Sequence, residues 1–253
     1  MALRLPRGIC EYYGRNVDKI PKLLKDGKIP ISAARFIQSR LKYGDEFSDL
    51  WTYTDTSDLV VYPKGDSKNI YTLLTVDNQN RITDNGKRAL ELIKSDNLAS
   101  NYGAVVEQLD DLKGKNLIKI PKNRIITGQY FTQKQVLDEL VWRVLTRHPD
   151  EVPAEFAEDR DLLREYFSEV ALRTKNPENM ALFIENSLKD KTTLKAWCVC
   201  RLGNRSGANG GGDLGGGYGR FLGLAPEALL RAKRRRWLRA KFKSHILKVI
   251  VNK

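Results

Sequence analysis

Cysteine and histidine are scarce in this chain of 253 residues, which has three and two of them. Cys10, Cys198 and Cys200 are too few for a disulfide framework, and a pair one residue apart cannot bridge without strain, so a disulfide-stapled secreted scaffold is disfavoured. Read on a helix, Cys198 and Cys200 point to roughly opposite sides. They grip no common metal there and pack as small hydrophobes. His148 precedes a proline at a helix end and His245 lies near the C-terminus; without motif partners, both read as capping or surface residues. Long apolar runs are missing too: Val249 to Val251 falls far short of a membrane span. Arg4, Pro6, Arg7 and Glu11 interrupt the first fifteen residues, which hold no apolar h-region, so a secretory leader is not expected there. A soluble, intracellular protein is expected. No G-x-x-x-x-G-K-[ST] occurs, which excludes a Walker-type phosphate loop. Gly210 to Gly215 matches G-x-G-x-x-G only because glycine is dense there; no strand precedes it and no helix follows.

Charge of one sign is also missing from the C-terminal end, where no acid follows Glu227. The whole chain carries +13. Ten lysines and arginines lie between Arg231 and Lys253, and residues 203 to 253 together hold +10, leaving 32 bases against 29 acids in the first 202. The excess favours a polyanionic partner, and it sits in the tail. Ahead of the tail, Gly203 to Gly223 contains 10 of the 19 glycines. With no long apolar run to offset their ordering entropy, this stretch reads as a linker.

The body carries several local signals. Ser32 caps a helix over Ala33 to Lys42, Thr83 caps another ending at Ile93, and a third begins near Pro21. Leu59 to Tyr62 and Ile70 to Val76 flank a turn-rich segment and form a hairpin. From Leu98 the residues Tyr102, Val105, Val106, Leu109 and Leu112 recur at helical spacing up to Gly114. Leu117 to Ile120 and Arg124 to Thr127 make a second small hairpin. Thr132 and Gln135 have the spacing of a capping box, with Phe131 and Val136 as its hydrophobic staple, and the helix runs to Arg147. Further helices are expected over Ala154 to Thr174, Pro177 to Lys189 and Leu194 to Leu202. The resulting fold class is α+β and mainly helical. It comprises a mixed helix and hairpin domain (1–128), a helical bundle (129–203), a Gly-rich linker (204–225) and a basic amphipathic C-terminal helix (226–253).

The segment from Leu59 to Ile93, with Thr83-Asp-Asn-Gly86 opening the helix after the hairpin, resembles the wing and following helix of winged-helix DNA-binding domains. The resemblance covers about residues 16–94, and the next helix, helix and hairpin suggest a tandem unit. It implies DNA binding, although Asp45, Glu46 and Asp49 put acids where that family usually offers donors to phosphate.

In the tail, Arg231, Lys233, Arg234, Arg235, Arg236, Arg239, Lys241 and Lys243 supply phosphate contacts and Trp237 can stack on bases; Arg220, Lys64 and Lys68 are added as contacts from the body. Tyr218 and Phe221, among the glycines, could also stack. Asp55, Asp58 and Lys64 suggest a metal-dependent nuclease, but Ile70 to Val76 lacks the acid-x-lysine element, so no catalytic residue, metal or cofactor is assigned. The expected function is non-enzymatic binding of nucleic acid, DNA or RNA. The alternative is a structural subunit of a virion or ribonucleoprotein assembly, as a homo-oligomer or larger particle. A membrane surface, which Trp237, Leu238, Phe242 and Ile246 also suit, is the less favoured partner.

Overall fold

Strand β3, Thr54–Tyr62, is buried at all nine positions, as the centre of a large sheet would be and an exposed wing would not. The computed structural model describes residues 4–100, 103–185 and 190–226, apart from the side chain of Gln129. Its elements, in chain order, are β1 (Ile9–Tyr13), α1 (Asn16–Lys25), β2 (Ile29–Pro30), α2 (Ala33–Tyr43), β3, β4 (Asn69–Leu73), α3 (Asp84–Glu91), β5 (Ala104–Val106), β6 (Leu117–Pro121), β7 (Gly128–Phe131), α4 (Gln133–Asp138), α5 (Leu140–Leu145), α6 (Leu162–Thr174), β8 (Met180–Phe183), β9 (Thr192–Val199), β10 (Ser206–Asn209) and β11 (Arg220–Leu224). All eleven strands join one mixed sheet, whose main path runs β1-β11-β3-β9-β10-β8-β7. The β3–β4 hairpin extends to β6, β2 adds to β11 and β5 adds to β9.

Side-chain alternation builds a core on each face of the sheet. Leu59 and Val61 of β3, Leu194 and Ala196 of β9 and Phe221 of β11 pack with Ile20 and Leu23 of α1 and Leu90 of α3. The intervening Val60 and Tyr62, Trp197 and Val199, and Leu222 and Leu224 pack with Phe36 of α2, Trp142 of α5 and Tyr166 of α6. Successive residues of a strand point to opposite faces, so both sets are covered at once. Each fully buried large apolar side chain contributes about 1.5–3 kcal/mol, and a one-residue slip of β3 would exchange the two sets.

Short-range signals act as read. The hydroxyls of Ser32 and Thr83 accept from the N–H groups of Arg35 and Gly86, and the Thr132–Gln135 capping box is formed. The β3–β4 hairpin is present. Helix α1 begins at Asn16, with Pro21 inside it.

The longer-range expectations are corrected. The chain is not mainly helical, and the supposed helical bundle supplies β7, β8 and β9 to the sheet. Leu194 to Leu202 is apolar because β9 lies between two covered faces, a pattern that a short helix shares. The Asn176-Pro177 helix start is instead a turn, with Asn176 Oδ1 accepting from Glu178 N before β8 begins. Of the expected 98–113 helix, the described residues form β5 and a 3-10 turn, and β5 pairs with β9. Leu117–Pro121 pairs with β4 rather than with 124–127. Glu139 interrupts the long helix after the capping box and caps α5 through Trp142 N. In the winged-helix reading β3 and β4 would be a two-stranded wing; here β3 is flanked by β9, β4 and β11. The Gly-rich linker is also corrected, because β10 and β11 lie in it. Leu214 between them is fully buried.

Candidate functional site

The strand register gathers Tyr13 at the end of β1, Arg220 at the start of β11, Tyr53 before β3, Arg201 after β9, Arg205 before β10 and Tyr130 in β7 at one end of the sheet. Tyr13 pairs with Arg220, Thr54 with Val199, and both Ser206 and Phe131 with Met180. Three of the exposed large side chains lie here: Tyr218 (79%), Tyr13 (53%) and Tyr130 (42%). Arg201 and Asn204 are exposed beside them.

This face is held from below by buried polar groups. Arg220 is almost fully buried; its Nε donates to Glu11 Oε1 at 2.7 Å, and its Nη1 donates to Tyr53 O at 2.7 Å and Thr54 Oγ1 at 3.1 Å. Thr52 Oγ1 accepts from the same nitrogen. One guanidinium thus ties β11 to β1 and to the approach of β3. Arg40, fully buried on α2, donates to the carbonyls of Leu50, Thr52 and Cys200 at 2.8, 2.7 and 2.9 Å and lies over the rings of Phe36 and Trp51. Asp55 accepts from Asn16 Nδ2 at 3.0 Å and from the Arg220 backbone N–H at 2.9 Å. Burial nevertheless pushes its carboxyl above the usual range. A carboxylate this short of solvent needs such donors to stay charged.

Within 210–219, Gly210 and Gly219 are close-packed against the body. An added Cβ on Gly219 would lie 2.0 Å from Asn16 Oδ1, and one on Gly210 would lie 2.9 Å from the Trp197 ring. Gly14 N donates to Gly219 O and Val17 N to Leu214 O, which fastens the segment to β1 and α1. Asp213 Oδ1 accepts from the N–H groups of Gly215 and Gly216. Tyr218 is thereby held outward, its carbonyl accepting from the Tyr53 hydroxyl. Burial, then Tyr13 and Asp55, push the Tyr53 phenol up to about 12, so it remains a donor. On the far side Tyr130 has φ +83°. Its hydroxyl accepts from Asn204 Nδ2 at 3.0 Å and Arg205 Nη1 at 3.2 Å, and the Arg205 guanidinium lies 5.2 Å from the ring centre.

The residues expected to bind nucleic acid are not brought together here. Arg231, Lys233, Arg234, Arg235, Arg236, Trp237, Arg239, Lys241 and Lys243 lie outside the described residues, as does His245. Arg220 is consumed by internal bonds. Lys64 and Lys68 are exposed in the β3–β4 turn, at the other end of β3 from the tyrosines. Phe221 is buried in the core. Asp58 pairs with Arg147 at 3.0 Å, both buried, and also accepts from Ala33 N, so it serves packing rather than metal binding. His148 Nδ1 accepts from Asp150 N, and burial, with Arg143 beside it, lowers its pKa. Cys198 and Cys200 lie on or just past a strand rather than on a helix, and therefore on one face. Tyr13, Tyr53, Tyr130, Arg201, Asn204 and Arg205 were missed. Tyrosine set against glycine, as in Tyr13-Gly14 and Gly217-Tyr218-Gly219, is the composition that would have marked them.

Among the described residues, no three His, Cys, Asp or Glu side chains gather to hold a metal ion, and no helix is long and apolar enough to cross a membrane. No family model matches the chain, and no curated protein matches it. A solved structure, described as the accommodation of massive sequence variation in Nanoarchaeota by the C-type lectin fold, is similar over 87% of this chain and 100% of that one, with a TM-score of 0.58 and 15% identity. That likeness overturns the winged-helix resemblance and the DNA-binding reading attached to it. At this identity it shows fold alone: the eleven-stranded mixed sheet is a C-type lectin-like fold.

Proposed function

We propose that the chain is a non-catalytic recognition module that binds the surface of a protein partner through the tyrosine and arginine face. One observation carries this reading: Tyr13 and Tyr218 stand exposed beside the buried Arg220 network, and Tyr130 stands exposed at the same end of the sheet with its hydroxyl held by Asn204 and Arg205. Tyrosine offers a large contact area with two torsions to freeze, and tyrosine and arginine dominate interface hot spots. The nanoarchaeotal protein supports the reading by its fold, which accommodates massive sequence variation. A fold can do so when its support is buried apart from the residues that vary, and the present chain has that separation.

A photo-crosslinking residue at position 218, with a control at exposed Leu172 on α6, tests the proposal in an extract of the source cells. A defined protein adduct from position 218 and none from 172 supports it; equal adducts from both, or none, reject it. The ten cations of 231–253 favour a second and separate role, contact with a polyanion. Replacing Arg234, Arg235 and Arg236 by glutamine is expected to lower the salt concentration that elutes the protein from immobilised heparin; unchanged elution rejects that role.

A further inference from the structure

Tyr130 adopts a backbone conformation that a strand does not call for. Among the described residues Asn80, Arg147 and Lys175 also have positive φ, but each lies in a turn or just past a helix; Tyr130, at +83°, is inside β7. The register of β7 on β8 shifts between Gly128 and Phe131, at the same place. A residue with a Cβ is strained there, so the conformation persists only where its surroundings over-determine it, and such outliers gather at ligand clamps. Two residues of the β9–β10 turn supply the constraint. The Tyr130 hydroxyl accepts from Asn204 Nδ2 at 3.0 Å and from Arg205 Nη1 at 3.2 Å. The contact reaches across β8, whose Met180 pairs with Phe131 on one side and Ser206 on the other.

These bonds fix Arg205 without consuming it. Its guanidinium lies 5.2 Å from the Tyr130 ring centre, and Nη1 also donates to Asn204 Oδ1 at 3.4 Å, so both side-chain bonds fall on one nitrogen. Among the described residues, Nε and Nη2 have no bonded acceptor, and no carboxylate pairs with this guanidinium. Arg205 is half-buried, and neither of the two nitrogens is shut away from solvent. Together they form the edge of the fork that takes the two oxygens of a carboxylate side by side. Arg40 and Arg220 offer no such edge, because internal carbonyls, hydroxyls and Glu11 occupy their donors.

We propose that the Nε–Nη2 edge of Arg205, held in place by Tyr130, receives a carboxylate of the protein partner. The inference rests on the recognition role of the tyrosine and arginine face and adds the chemistry of what it recognises: an acidic side chain or a chain end set beside an aromatic contact. A carboxylate has two coplanar oxygens, which one fork edge satisfies. A phosphate has three and calls for further donors, whereas the neighbouring Asn204 Nδ2 donates to Tyr130 instead. A guanidinium already laid against a ring and bonded to its hydroxyl loses less rotamer freedom on binding than a free surface arginine.

The test uses the full chain and immobilised pools of decapeptides, randomised over uncharged residues around a fixed central Asp, Glu, Asn, Gln or phosphoserine. All are amidated at the C-terminus, and the Asn pool is also made with a free carboxylate end. The native protein should be retained by an acidic pool, or by the free-ended pool where a chain end is the ligand, about tenfold more than by the amidated Asn and Gln pools. Arg205→Lys keeps the charge and loses the fork. It should abolish that ratio while leaving the Tm and retention by the Asn and Gln pools unchanged, whereas a merely structural arginine would lower every pool together. The cations of 231–253 also attract acids, but Arg205→Lys does not alter that attraction. Tyr130→Phe, which lacks the hydroxyl, should weaken the preference about threefold. A ratio near one, a ratio that Arg205→Lys leaves in place, or Arg205-dependent retention strongest on phosphoserine would overturn the carboxylate assignment and leave the face a binding surface. Retention that Tyr218→Ser leaves unchanged on every pool would reject the face itself, and the assignment with it.

Discussion

Replacing Arg220 by methionine removes the guanidinium on which the exposed face rests while keeping much of the apolar stem. The loss comprises the 2.7 Å contact with Glu11 and the donors to Tyr53 O, Thr54 Oγ1 and Thr52 Oγ1. Arg220 is 3% exposed and Glu11 21%, so the carboxylate left behind is only partly reached by water. Breaking a buried pair from one side costs about 3–5 kcal/mol, which for a chain of this length is a fall in Tm of about 6–20 °C. Equilibrium urea unfolding and a thermal melt measure it. Glu11→Gln in the same background separates the pair from the carbonyl bonds, and the double variant should fall short of the summed single costs by about 0.5–3 kcal/mol. A loss below about 1 kcal/mol for Arg220→Met, within the ordinary range of surface substitutions, would refute the claim that this side chain supports the face.

Two further outcomes follow from the same packing. Gly219→Ala should unfold or strongly destabilise the protein, because its Cβ would lie 2.0 Å from Asn16 Oδ1 and 2.7 Å from Gly14 O, whereas nothing lies within 4 Å of Gly217. Gly217→Ala should therefore be neutral or stabilise by about 0.4–1 kcal/mol through the unfolded chain, and equal melts for the two variants would show that the segment does not pack against the body. Burial raises the Glu139 carboxyl to about 7, so the folded state holds its proton where the unfolded chain has lost it. Stability from this group falls as pH rises from about 4.5 to about 7, by about 3 kcal/mol in all, and Glu139→Gln, which keeps an acceptor for Trp142 N, should gain on the native protein across that window. A constant difference between the two from pH 4.5 to 8 would contradict this.

Legibility in the sequence followed the range of the interaction. The caps at Ser32 and Thr83 and the Thr132–Gln135 box depend on residues three apart, and each acts as read. Strand β9 reads as a helix in sequence because a strand covered on both faces has no alternation to display, and its partners β3 and β5 are distant in sequence. The glycines of 203–223 suggested a tether since composition reports the entropy lost on ordering and not the contacts that offset it. Those contacts, Gly210 on Trp197 and Gly219 on Asn16, join residues 13 and 203 positions apart. The site was hidden for the same reason: Tyr13, Tyr53 and Tyr218 meet only through the register of β1, β11 and β3. Of the body residues read for binding, Arg220 and Tyr218 lie at this end of the sheet; Arg220 supports it from within and Tyr218 is exposed on it.

The separation of a fixed base from an exposed binding surface is tested most directly by one variant, Tyr13→Ser/Tyr130→Ser/Tyr218→Ser, measured for Tm and for affinity toward the protein captured at position 218. Substitutions at such exposed positions change stability by about 0.5 kcal/mol or less each, so Tm should drop by no more than about 6 °C in all, while loss of three tyrosine anchors should weaken binding at least about 100-fold. Undiminished affinity in the folded variant would contradict the account.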